Sequence, residues 1–325
     1  MEAVLATPET TEIARPNYSF LATRRIDAAA LVSAFLSGRN ERTIRSYRGD
    51  LEGFREFVGA KTLDDAARLL LSRGNGEANG LALAYKADLL RRGLQATTIN
   101  RRLAALRSLV KLASTLGIVQ WRLEVENLKV EPYRDTKGPG TTVFIRLLSL
   151  VADRNDRKGV RDYAILRLLH DLALRRGEVV ALDIADVNLE AGTVAVLGKG
   201  KTQKQTLSLP EPTKTALSKW LDIRGIEPGS LFPNVDRAKK GGRLTGTGIY
   251  RLVSGLGKKI CAKVRPHGIR HTAITEACKK AQEHGYGLEE VLDFSRHADV
   301  STLMVYRDRE RNVQGRLASL VAAGI

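Results

Sequence analysis

The side chains that could carry chemistry fall along the chain in a fixed order. Arg175-Arg176-Gly177-Glu178 precedes the helical run VVAL, and Lys199 sits in a Gly-Lys-Gly turn between two strand-like runs. His267-Gly268-Ile269-Arg270-His271 opens a helix directly after Pro266. Arg296-His297 closes a short helix, and Tyr306 follows nine residues after His297. Together these segments offer a nucleophile, cations that can neutralise a phosphate, and groups that can give or take a proton. Those are the requirements of phosphoryl transfer without a metal. Taken singly, each has an ordinary alternative. Arg175 could be a solvated helix-end charge, Lys199 a turn lysine, His297 a helix cap and Tyr306 a half-buried amphipath.

Motif searches exclude other chemistries. No GxxxxGK[ST], HExxH or paired-magnesium acidic cluster is present, and Gly198-Lys199-Gly200 is too short for a phosphate loop. No metal and no cofactor is expected. Cys261 and Cys278 make neither a disulfide framework nor a CxxC pair, which points to a reduced, intracellular setting. The 325 residues carry 53 Lys and Arg against 36 Asp and Glu, a formal net charge of +17. That excess favours a polyanion, because Lys and Arg displace counterions from phosphates. Aromatic residues make up only 5%, which argues against single-strand binding by base stacking. No apolar run approaches the roughly 18 residues of a membrane span, and the N-terminus lacks the apolar core of a secretory signal.

The elements that must position these groups can be read from periodicity. Residues 1–26 read as an irregular arm. From 27 to 124 the pattern is helical. Ile44, Tyr47, Leu51, Phe54 and Val58 make one stripe, and Ile99, Leu103, Leu106, Val110 and Ala113 another, with Thr97 or Thr98 as the cap of the second helix. Helices are expected at 27–36, 41–58, 63–71, 81–92 and 97–116. Residues 125–140 read as a linker, with two prolines and two late glycines. From 141 to 325 helices are expected at 143–152, 162–174, 211–223, 244–260, 266–283, 288–294 and 300–306. Short strands at 192–197 and 206–209 flank Lys199. The fold class is mainly α with a small β-sheet.

In this order, the second half resembles the catalytic domain of the tyrosine recombinase (phage integrase) family. The matching positions are Arg175 with Glu178, Lys199, His267, Arg270, His297 and Tyr306. Residues 27–119 are more weakly similar to the family's helical core-binding, SAM-like domain. The chain departs at Phe294-Ser295-Arg296-His297, where the family has Leu-Gly-His. Arg296 replaces the glycine and puts the turn geometry there in question. The resemblance implies that Tyr306 attacks a DNA phosphate to give a 3′-phosphotyrosine, so that rejoining needs no ATP. It implies that Arg175 and Arg270 hold the non-bridging oxygens with forked donors. Lys199 would protonate the departing 5′ oxygen. His267 would act as base or phosphate hydrogen bonder, His297 would donate to a phosphate oxygen, and Glu178 would orient an Arg or His. The spacing to Glu178 picks Arg175 over Arg176. His271 is read as a packing histidine.

In the helical half, Arg45 and Arg48, and Asn100, Arg107 and Lys111 on one face, are candidate phosphate and groove contacts. A solvated helix face is the alternative. Residues 309–322 read as an amphipathic tail helix with Val313, Leu317, Leu320 and Val321 on one face; the resemblance implies docking on a neighbouring subunit, and an intramolecular packing helix is the alternative. The expected activity is site-specific recombination of double-stranded DNA by a homotetramer on paired core sites, in the cytoplasm and on the nucleoid. A type IB topoisomerase-like enzyme and a non-catalytic DNA-binding protein on the same fold are the alternatives.

Overall fold

The structure is a computed structural model that describes residues 28–37, 41–130, 138–235, 241–297, 300, 303 and 313–323. Tyr306 lies outside the described residues, as do the arm before residue 28 and most of the helix expected at 300–306. The chain divides into two compact units, residues 1–133 and 134–325.

The first unit is all helical: α1 (Ala28–Leu36), α2 (Glu41–Val58), α3 (Leu63–Leu71), α4 (Asn75–Arg91) and α5 (Ala96–Thr115). The predicted stripe of α5 is its buried face, since Ile99, Leu103, Leu106, Val110 and Ala113 are fully buried. Apolar burial of that kind contributes more than helix propensity does. Its N-cap is Gln95 rather than Thr97 or Thr98, and no side chain caps it. The helix begins earlier because Ala96 continues it at no steric cost. α4 likewise starts six residues before the predicted Leu81. Its first turns hold Gly76 and Gly80, poor helix formers, but the burial of Ala78 and Ala82 outweighs that.

Part of the expected linker belongs to this unit. Residues 121–130 form a strap that is neither helix nor strand, with Leu123 and Val125 buried in the helical core. The Asn100 side chain holds Leu128 by both backbone groups, donating to its carbonyl at 2.9 Å and accepting from its N–H at 2.8 Å. Arg107 donates to the Val125 carbonyl and to Asn127 Oδ1.

The second unit contains α6 (Thr141–Ala152), α7 (Arg157–Asp171), α8 (Arg176–Ala181), α9 (Glu211–Arg224), α10 (Gly246–Lys259), α11 (Pro266–Glu283), α12 (Leu288–Ser295) and a C-terminal helix, Val313–Ala323. Helix α7 starts earlier than predicted because Asp156 caps it, accepting from the Gly159 N–H at 3.0 Å. It packs against α6, α9 and α11, and Ala164, Ile165, Leu166, Leu168 and Leu169 are all fully buried. A helix with apolar residues on several sides belongs at the centre of a core. It ends at Asp171, three residues short of the predicted Leu174, and Ala173 then takes a left-handed backbone with φ 45°.

An antiparallel sheet, β1 (Val187–Asn188), β2 (Thr193–Leu197) and β3 (Lys204–Ser208), is ordered β1-β2-β3. β2 and β3 form the expected hairpin, in register from Thr193 opposite Ser208 to Leu197 opposite Lys204. The chain is thus mainly helical with a small sheet, the expected fold class.

Candidate active site

Arg175 is the N-cap of α8, in extended conformation, and Glu178 is the third residue of that helix. This explains the three-residue spacing. A glutamate at that position can reach back to the unsatisfied N–H at the helix start. Glu178 does so, accepting from the Arg175 N–H at 2.8 Å, and its other oxygen accepts from Arg175 Nη1 at 2.7 Å. Glu178 is buried, while 28% of the Arg175 side chain stays exposed. Arg176 points elsewhere, with its guanidinium beside Gly246 at the start of α10.

Helix α11 opens at Pro266, where a missing N–H has no consequence. His267 and Arg270 lie one turn apart. His267 is exposed and its ring meets His271 edge-on, centroids 4.2 Å apart. Arg270 is only 1% exposed, so its guanidinium is part of the interior. It donates to the carbonyls of Ala173 and Ser295, and Nη2 lies 3.2 Å from His297 Nε2. Arginine has only donors, so Nε2 accepts and the ring proton of neutral His297 is on Nδ1.

Helix α12 ends with Arg296 in a left-handed conformation, φ 53° and ψ 38°. The turn expected from glycine is therefore made, by an arginine. Its side chain turns inward and bonds the carbonyls of Leu172 and Ala173 and the Glu178 carboxylate.

The structure thus brings Arg175, Glu178, Arg270 and His297 together. His267 is close enough to feel both arginines. Partial burial of its ring, then the charges of Arg270 and Arg175, hold His267 below the usual histidine range. The same causes act more strongly on His297, lowering it to about 4. His297 is therefore neutral at pH 7.

Lys199 is exposed at the hairpin tip. The Lys201 N–H bonds the Gly198 carbonyl at 3.1 Å, and Gly200 has φ 76°, a value glycine adopts without strain. Among the described residues Lys199 makes no hydrogen bond or ion pair, whereas Lys204 pairs with Asp186. Among the described residues no group of His, Cys, Asp and Glu is placed to hold a metal ion.

In the helical unit Arg45, Arg48 and Lys111 are exposed. Asn100 and Arg107 are turned onto the strap instead, a structural role that their spacing does not reveal. Arg296 is the other group that sequence reasoning misses. Its one sequence signal is a long cation where the local turn calls for glycine.

A profile of the phage integrase family matches residues 145–312, and one of the phage integrase N-terminal SAM-like domain matches residues 34–115. The chain belongs to the phage integrase family. Its relatives in that family are tyrosine recombinases. It is 37% identical over 290 residues to the tyrosine recombinase slr0733 of Synechocystis sp., covering 87% of this chain and 91% of that one. It is 30% identical over 231 residues to the tyrosine recombinase XerC of Escherichia coli O157:H7, covering 66% and 71%. Among solved structures it is similar to the XerH site-specific recombinase bound to palindromic difH substrate, in a post-cleavage complex. There the TM-score is 0.65 at 20% identity, covering 91% and 85% of the two chains. A lambda integrase dimer bound to a core site gives a TM-score of 0.63 at 13% identity, covering 87% and 78%. At those identities the structural likeness is one of fold. Family membership makes this chain a DNA breaking-and-rejoining enzyme.

Proposed function

We propose that the chain cleaves and rejoins double-stranded DNA at specific sites through a 3′-phosphotyrosine on Tyr306. It does so without metal or ATP, as a homotetramer on paired core sites. The observation that best supports this reading is the single cluster of Arg175, Glu178, Arg270 and His297, drawn from three separate segments.

In the proposed step the Tyr306 oxygen bonds to phosphorus and the bond from phosphorus to the 5′ oxygen breaks. The tyrosine proton passes to His267, whose depressed pKa keeps it neutral and able to accept. Lys199 gives a proton to the 5′ oxygen. Arg175 presents the accessible guanidinium to the phosphate, and Arg270 adds charge from behind while holding His297. His297, whose Nε2 faces Arg270, would donate from Nδ1 after turning that buried nitrogen toward the phosphate. Rejoining is the reverse, and the phosphotyrosine bond keeps the energy for it.

The helical unit, residues 27–124 with the strap, is proposed as the core-binding part, contacting phosphates through Arg45, Arg48 and Lys111. Residues 141–325 are the catalytic part. The C-terminal helix leaves Leu320 and Val321 about two-thirds exposed (69% and 68%), which supports its docking on a neighbouring subunit. Among the described residues no helix is long and apolar enough to cross a membrane, in keeping with a proposed site of action on the nucleoid in the cytoplasm.

A nicked suicide substrate tests the reading, with the reaction run in excess chelator. The wild type should form a covalent protein–DNA adduct, and Tyr306→Phe should bind the same DNA and form none. An adduct from the phenylalanine variant, or a reaction that needs added magnesium, would sink the mechanism.

A further inference from the structure

Two loops carry the candidate site: residues 172–175, entering α8, and residues 294–297, leaving α12. Both contain a non-glycine residue in the left-handed region, Ala173 at φ 45° and Arg296 at φ 53°. Such a backbone is strained for a residue with a Cβ, so something must hold each in place. The hydrogen bonds show what does. Arg296 donates to the Leu172 carbonyl at 2.9 Å, the Ala173 carbonyl at 3.1 Å and Glu178 Oε2 at 3.2 Å. In return, the Arg296 carbonyl accepts from Arg175 Nη2 at 3.3 Å. The two arginines therefore clasp each other's segments, side chain to main chain in both directions.

Arg270 braces the same loops from α11, donating to the carbonyls of Ala173 and Ser295. The Ala173 carbonyl thus takes two guanidiniums, from Arg270 and Arg296. Glu178 also has two cations, Arg175 on Oε1 and Arg296 on Oε2. Arg296 is nearly as buried as Glu178, with 8% and 3% of their side chains exposed. A buried carboxylate shared in this way fixes both partners, because leaving either charge unpaired inside the protein is costly.

We propose that Arg296 is a positioning residue of the active site. Through Glu178 and the Leu172 and Ala173 carbonyls it sets where Arg175 points, and through its own backbone it sets where His297 stands. The proposal rests on the assignment of this cluster as the active site. Without that reading, Arg296 would simply be a helix C-cap with a buried side chain.

The left-handed backbone makes the two accounts separable. Glycine adopts that conformation without strain, so Arg296→Gly relieves the backbone while removing every side-chain bond. If Arg296 only terminates α12, Arg296→Gly should cleave as well as the wild type. If it positions the site, Arg296→Gly should lower the single-turnover rate of adduct formation at least tenfold. Half-site affinity should stay within twofold. Arg296→Lys, which keeps a charge for Glu178 but loses the fork, should fall between the two. Arg296 is also one of the charges that depress His297. The His297 pKa, followed by NMR, should therefore rise in Arg296→Gly and stay in place in Arg296→Lys.

Rates are read at a temperature where circular dichroism shows each variant folded, with Arg296→Asn as a second variant tolerant of the left-handed backbone. Wild-type rates and an unmoved His297 pKa in Arg296→Gly or Arg296→Asn would overturn the proposal. So would defects that vanish once each variant is fully folded. If the wild type itself forms no adduct in the same assay, the active-site assignment fails first and the proposal falls with it.

Discussion

Glu178 binds Arg175 twice, taking the guanidinium Nη1 on one oxygen at 2.7 Å and the backbone N–H on the other at 2.8 Å. One carboxylate thereby completes the start of α8 and fixes the direction of the neighbouring cation. Among the described residues Arg176, one residue on, has no such carboxylate partner, and it lies beside Gly246. The pair therefore separates two adjacent arginines that composition alone cannot tell apart.

Arg175→Ala should lower the rate of adduct formation by roughly a hundredfold or more, the scale seen when a preorganised charge donor is removed from a transition state. Arg176→Ala should be far milder. Single-turnover cleavage of one suicide substrate by both variants decides the point. A reversed order would shift the motif by one residue.

Lys199 is tested through the leaving group. Lys199→Ala should be slow on a normal phosphodiester and recover on a substrate whose 5′ bridging oxygen is replaced by sulfur, since a thiolate departs without protonation. Because Lys199 stands exposed on the hairpin tip, the substitution should leave the melting temperature unchanged. Equal defects on both substrates would remove Lys199 from the acid role.

His297 links the site to stability. Its pKa is about 4 in the fold, against 6.5 for the free side chain. Between those values the unfolded chain binds a proton that the folded chain does not. Stability therefore rises with pH across this window and is lost as pH falls from about 6.5 towards 4. His297→Gln keeps an acceptor for Arg270 but cannot titrate. Urea unfolding at pH 7 and pH 5 should show the wild type losing more stability than the variant. Equal losses would mean that His297 is not held neutral by its surroundings.

Part of this architecture is legible in the sequence for identifiable reasons. Stripes such as Ile44, Tyr47, Leu51, Phe54 and Val58 reveal α2 because burial on one face forces a regular spacing. The i,i+3 relation of Arg175 to Glu178 survives in sequence because both partners lie within one helical turn. Long-range bonds leave no such trace. Nothing in the spacing of Arg296 shows that it reaches Leu172 and Ala173, more than a hundred residues earlier. The first turns of α4 are hidden because Asn75-Gly76-Glu77-Ala78-Asn79-Gly80 has loop-like composition, and only tertiary packing of Ala78 makes it helical. The strap reads as a linker because its order comes from side chains on α5, not from its own pattern.

The anchoring of the strap yields the last test. By sequence, Asn100, Arg107 and Lys111 share a helix face and look alike as DNA-binding groups. In the structure Asn100 makes two hydrogen bonds to Leu128, and Arg107 bonds Val125 and Asn127, while Lys111 stays exposed with Arg45 and Arg48. Asn100→Ala leaves both backbone groups of Leu128 without these partners, so it should cost about 1–3 kcal/mol of stability. Half-site affinity and its salt dependence should not change at a temperature where the variant is folded. The triple variant Arg45→Ala, Arg48→Ala, Lys111→Ala should do the opposite. Stability should stay within about 0.5 kcal/mol, as for surface changes generally. The slope of log affinity against log salt should flatten by about 0.9 for each phosphate that these side chains neutralise. Denaturant melts and salt titrations of half-site binding, run on both proteins, separate the two roles. A flattened salt slope in Asn100→Ala would return that residue to the DNA face and detach the strap from its proposed structural anchor.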